Sequence, residues 1–151
     1  IFVVSLLIAL AIATRTETLS IWRTTGDFIA VAMCLLAVQK LQDIESFSTM
    51  FLNYDVLARK WVPYAYLYPF GEALAGLLML SGALSIISIP IALFIGSIGA
   101  WSVIKAVYIE KRELKCACVG GNSNVPLGFV SLAENVAMVG MAFVMLVIIV
   151  I

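Results

Sequence analysis

The chain has 151 residues, of which 64% are hydrophobic and only 12% charged, and its mean hydropathy is +1.13. Soluble domains are about half apolar and a quarter charged, so this composition excludes an ordinary soluble domain and specifies a membrane protein. The formal charge is zero and no histidine is present. No basic excess exists to bind nucleic acid, and any acid–base or ligand chemistry must come from cysteine, carboxylates, lysine or tyrosine.

From the start, Ile1 to Ala13 is apolar apart from Ser5, yet it falls short of the about 20 residues that cross ~30 Å of hydrocarbon. We read it as part of a span whose beginning lies upstream. A signal-peptide core is the rival reading, but no basic flank or small-residue cleavage site accompanies it. Thr14 to Asp27 reads as a polar connector with Trp22 as an interfacial anchor. A second span begins near Gly26 and must run through Val38 to about Ile44 to be long enough. Ser46 to Pro63 follows as a loop, and its aromatic residues Phe47, Phe51, Tyr54 and Trp61 suit a short helix lying in the interface.

No charged residue occurs from Ala73 to Ile104, too long a stretch for one span. Pro90 marks the expected break, since proline favours the first position of a new helix. The third span is then Tyr66 to Ile87 and the fourth Pro90 to Ile109. Ala92, Gly96 and Ala100 form a small-residue stripe that lets membrane helices approach closely. A charged stop, Glu110 to Lys115, leads into the polar segment Cys116-Ala117-Cys118-Val119-Gly120-Gly121-Asn122-Ser123-Asn124, read as a hairpin. The last span starts at about Pro126 or Ser131 and ends at Ile151.

If these spans alternate, the Ser46–Pro63 loop and the cysteine hairpin share one side of the membrane. Arg59, Lys60, Lys111, Arg112 and Lys115 lie there, against Arg15 and Arg23 opposite. The positive-inside rule therefore places the hairpin in the cytosol. Under the same topology Lys40, Asp43, Glu72, Lys105, Glu134 and Asn135 fall in the leaflet beneath the hairpin, with Cys34 deeper on the helix of Lys40. Charged groups inside a span are costly and are paired or functional. Lys40 can pair with Asp43 at i,i+3, or with Glu72 to fasten two spans. Glu72 follows Tyr68-Pro69-Phe70-Gly71 and reads as an early helical residue favoured by the macrodipole. Ser131-Leu-Ala-Glu134 matches a capping box. Cys34 reads as an inert core residue or as a third thiol.

Two chemistries fit Cys116 and Cys118. Lys111, Arg112 and Lys115 would favour the thiolate, so one cysteine could attack a partner disulfide while the other resolves the mixed disulfide. Alternatively the two thiolates, with Cys34 or a partner's thiols, form a soft site for Cu(I), Hg(II) or Zn(II). Two ligands are too few for a closed zinc site. Apart from such an ion no cofactor is evident.

The chain resembles the MauE/DoxX-like redox-associated membrane proteins, whose best-known branch is the methylamine-utilisation protein E family. The resemblance covers about Gly26 to Ile151. It rests on Lys40-Leu-Gln-Asp43 with Phe47, on Pro69-Phe-Gly-Glu72 with Gly76, on Cys116-Ala-Cys118-Val-Gly120, and on Glu134-Asn135. It implies an all-α polytopic bundle: a four-helix membrane domain over residues 26–151, preceded by an added span and connector over 1–25. It implies a bacterial inner-membrane protein that handles thiols and disulfides, using Cys116 and Cys118 with Lys40, Asp43, Glu72, Glu134 and Asn135 in support. Implied partners are the bilayer and a thioredoxin-fold or metal-binding domain, fused upstream in some relatives. Self-association is compatible with this reading. The cytosolic assignment departs from the family's periplasmic disulfide role, because cytosolic thiols are normally kept reduced.

Overall fold

The computed structural model of the chain describes residues 1–15, 21–82, 84–114 and 127–150. Helices dominate: α1 (Phe2–Arg15), α2 (Ile21–Gln42), α3 (Ile44–Leu52), α4 (Pro63–Ser81), α5 (Ser85–Val103), continued by a π-helical stretch (Ile104–Ile109), and α6 (Phe129–Val150). No strand occurs among the described residues. Three stretches are long and apolar enough to cross a membrane: Ile21–Gln42, Ile86–Ile109 and Phe129–Val147.

Helix α4 has a similar length, 19 residues, or about 28 Å. Its polar content is sorted by face. Tyr64, Tyr68 and Glu72 are buried, while Leu67, Phe70, Leu74 and Leu77 are exposed on the outside. A helix with its polar groups inward and leucines outward suits lipid rather than water. We therefore read α4 as a fourth spanning helix. In the bundle α2 packs on α4, α4 on α5 and α5 on α6, while α6 meets α2 over a thinner contact. Helix α1 lies against α2 and buries Ser5, Ala9 and Ala13, one small residue per turn.

Small residues set the close approaches. A Cβ on Gly76 of α4 would come within 2.8 Å of Cys34 Sγ and 2.9 Å of the Ala30 carbonyl on α2. On α5 the approach to α6 runs through Ala92, Gly96 and Gly99: Gly96 faces Val139 and the Asn135 carbonyl, and Gly99 faces the Asn135 side chain. Ala100, expected in this stripe, is only half-buried.

Several expected boundaries move. Helix α2 starts at Ile21, so Trp22, Arg23 and Asp27 occupy its opening turns rather than a connector, and the expected boundary after residue 25 falls inside it. Helix α3 turns its aromatic face toward the bundle. Phe47, Phe51 and the following Tyr54 are buried in the core, and only Trp61 of that aromatic set is exposed. The break between the third and fourth spans lies at Gly82 and Leu84, with φ of 63° and 54°, not at Pro90. Gly82 takes the left-handed conformation that commonly ends helices. Pro90 sits inside α5, where its missing N–H removes one ladder bond without ending the helix.

Candidate functional site

Three helices deliver one charged group each to the same point. Lys40, near the end of α2, donates from Nζ to Glu72 Oε2 of α4 at 2.7 Å and to Glu134 Oε1 of α6 at 2.8 Å. Lys40 is 3% exposed, Glu72 0% and Glu134 7%, so the ammonium does not snorkel to the surface. It lies 5.2 Å from the ring centre of Tyr68 and 6.0 Å from that of Phe47, within range of cation–π attraction. Phe47 stacks on Phe51 at 5.1 Å, and Phe51 lies 4.7 Å from Tyr68. These rings form an apolar wall beside the ion cluster, and the low local dielectric strengthens its internal attraction.

Asn135 extends the cluster by one residue. Its Oδ1 accepts from the Tyr68 hydroxyl at 3.2 Å, and its Nδ2 donates to the Ser131 carbonyl at 2.8 Å. The side chain fits because Gly99 has none. A space of about 10 Å³, bordered by Lys40, Tyr68, Gly99, Glu134 and Asn135, is about what one water requires. Glu72 Oε1, fully buried, has no hydrogen-bond partner among the described residues. On another side Glu134 borders an apolar groove of about 310 Å³ between α2 and α6, lined by Phe28, Ile29, Met33, Phe129 and Ala137.

The expected site residues divide accordingly. Lys40, Glu72, Glu134 and Asn135 come together. Asp43 does not join Lys40; it caps α3, accepting from the Ser46 N–H at 3.2 Å. Glu72 is no helix-start residue, because α4 begins at Pro63 and carries Pro69 internally. The capping box is not formed either, since α6 starts at Phe129 and Glu134 turns to Lys40 instead. Cys34 is half-buried on α2 against Gly76. Lys105 lies outside the cluster, 43% exposed and 3.9 Å from Glu110. Cys116 and Cys118 lie outside the described residues. The chain on either side of them is held, for Leu127 N–H donates to the Leu114 carbonyl at 2.6 Å. No group of three His, Cys, Asp or Glu side chains among the described residues is arranged to hold a metal ion.

Sequence reasoning missed a second polar knot. Asp55, fully buried after α3, accepts at Oδ1 from the Leu57 and Ala58 N–H groups at 2.9 and 2.8 Å, and at Oδ2 from Ser102 Oγ of α5 at 2.9 Å. Ser102 Oγ in turn accepts from the Val56 N–H at 3.0 Å. Burial raises the Asp55 carboxyl above its ordinary range, against the opposing pull of these hydrogen bonds. An aspartate that bonds the backbone two and three residues on is a common turn device, and that was the available signal. Nothing in an apolar run marks Ser102 as its partner.

The model of the family described as methylamine utilisation protein MauE matches residues 16–148. The chain belongs to the MauE family. No curated protein and no solved structure matches it. The MauE match takes in all three cysteines, the Lys40–Glu72–Glu134 cluster and the Asp55–Ser102 knot. With the three long apolar helices, it makes this MauE-family chain an integral membrane protein.

Proposed function

We propose that this MauE-family protein is a membrane thiol–disulfide protein in which Cys116 and Cys118 cycle between dithiol and disulfide. The observation that carries the reading is the family match extending across both cysteines, taken with their spacing of one residue and the basic residues Lys111, Arg112 and Lys115 before them. In the proposed exchange one thiolate attacks a sulfur of a partner disulfide, and the partner's other sulfur leaves as a thiolate. The second cysteine then displaces the partner from the mixed disulfide. The pair ends oxidised, and the partner ends as a dithiol, having gained two electrons and two protons.

The Lys40–Glu72–Glu134 cluster has a positioning role in this reading. It clamps α2, α4 and α6 near the start of α6, the helix that follows the thiol-bearing segment in the chain. The family's name suggests a setting in methylamine utilisation. The loop cations support a cytosolic position for the segment, which thiol labelling from either side of an oriented membrane would determine.

The test is disulfide trapping. Cys116→Ser and Cys118→Ser variants are isolated from membranes after acid quenching, and one of them should retain a thioredoxin-fold partner as a reducible mixed disulfide. If neither variant retains any partner while the wild type binds Cu(I) stoichiometrically, and the double variant does not, thiophilic metal transfer replaces the redox reading.

A further inference from the structure

Away from the ion cluster, Arg59 and Lys60 of the α3–α4 connector meet Lys105 of the π-helical stretch and Glu110, which caps it. With Tyr54, Val56 and Ala106 they line a cavity of about 180 Å³. The π-helical turn is what brings its ends together. A π-helix bonds residues five apart, and here the Glu110 N–H donates to the Lys105 carbonyl at 2.8 Å.

The charges around this cavity do not cancel. Three cations face one carboxylate, and Glu110 is shared between Lys105 at 3.9 Å and Arg112 at 3.6 Å. Among the described residues no carboxylate forms an ion pair with Arg59 or Lys60. Asp55, the nearest carboxylate along the connector, is occupied by Leu57, Ala58 and Ser102.

The backbone that carries Arg59 and Lys60 is held in place. Ser102 bonds both Asp55 and the Val56 N–H, and Arg112 Nη1 donates to the Asn53 carbonyl at 2.9 Å. These bonds tie the connector to the end of α5, so the cavity is organised before any ligand arrives. Beside it in sequence Trp61, Val62, Tyr108 and Ile109 are exposed, a mixture of aromatic and aliphatic surface typical of headgroup depth.

We infer that the cavity binds a phosphate-bearing anion, supplied by the headgroup of an acidic glycerophospholipid or by free phosphate. Basic pockets at helix ends take lipid phosphates in this way. The inference is independent of the thiol chemistry.

The experiment follows the thermal unfolding midpoint of the full chain in neutral detergent, titrated with phosphatidylglycerol, phosphatidylcholine or sodium phosphate at constant ionic strength. A ligand of the native state raises the midpoint saturably. Phosphatidylglycerol should do so while phosphatidylcholine, whose choline cancels the phosphate charge, should not. A saturable rise with sodium phosphate alone identifies the soluble anion as the source. Arg59→Gln combined with Lys105→Gln should raise the half-saturating concentration at least tenfold, whereas Arg59→Lys with Lys105→Arg should restore it. Lys111→Gln, outside the cavity, should have no effect. Equal shifts with both lipids, no shift with any ligand, or an unchanged response in the double glutamine variant would overturn the inference.

Discussion

At the scale of single residues, Lys40 is the most consequential side chain described. Among the described residues it is the only cation that bridges two buried carboxylates, Glu72 and Glu134. Desolvating such a group is expensive, so the pairing does not by itself make the bundle stable, but removing one partner strands the rest. Lys40→Met leaves both carboxylates buried without a counter-charge and should cost about 3–5 kcal/mol. Glu134→Gln leaves a one-to-one Lys40–Glu72 pair and should cost markedly less. Denaturant or thermal unfolding in detergent ranks the two, and similar losses would contradict a triad centred on the ammonium. This convergence was partly legible in the sequence, because Lys40, Glu72 and Glu134 share one depth under any alternating topology. What the sequence concealed was each residue's own setting. Asp43 could reach Lys40 on paper, but the chain turns immediately after Gln42 and uses Asp43 as the cap of α3. Glu72 looked like an opening residue because Pro69 resembles a helix start, whereas α4 runs through that proline.

At the scale of elements, two interfaces depend on missing side chains. Gly76 lets α4 approach Cys34 and Ala30 of α2, and Gly99 lets α5 approach Asn135 of α6. Gly99→Leu drives a side chain into Asn135, displacing it from the Tyr68 hydroxyl and the Ser131 carbonyl. Overpacking of this kind costs about 1–3 kcal/mol, and the expected signature is loss of stability together with weaker α5–α6 crosslinking between engineered cysteine pairs. A stability unchanged from wild type would show that Asn135 is not held by that contact. The small-residue pattern on α5 was visible beforehand, and the regular spacing of Ala92, Gly96 and Ala100 pointed to the correct helix. It could not identify Gly99 as the critical position, since that depends on which α6 side chain comes opposite. The α4–α5 turn was displaced for a related reason. Proline is conspicuous in a sequence, but the left-handed backbone at Gly82 and Leu84 breaks the helix, and Leu84 carries no signal for it.

At the scale of the whole molecule, apolar runs and their interruptions were enough to anticipate an all-α membrane bundle with its ionisable residues gathered at one level. They were insufficient for α3, whose aromatic residues suited the interface and the core equally well. Burial of Phe47, Phe51 and Tyr54 beside Lys40 became apparent only once the cluster had a location. The resulting architecture has its ion cluster, its Asp55–Ser102 knot and the flanks of the thiol segment toward one end of the bundle. The central claim is that Cys116 and Cys118 exchange disulfides, while Cys34, wedged against Gly76, does not. Counting thiols tests it most directly. The reduced, purified full chain is mixed with a stoichiometric excess of an oxidised thioredoxin-fold protein, quenched, and its free thiols are alkylated and located by mass spectrometry. The account expects two thiols per chain to be lost, both at Cys116 and Cys118, with Cys34 still alkylated and with no loss in the Cys116→Ser/Cys118→Ser variant. Retention of all three thiols in the wild type, or equal thiol loss in the double variant, would contradict it.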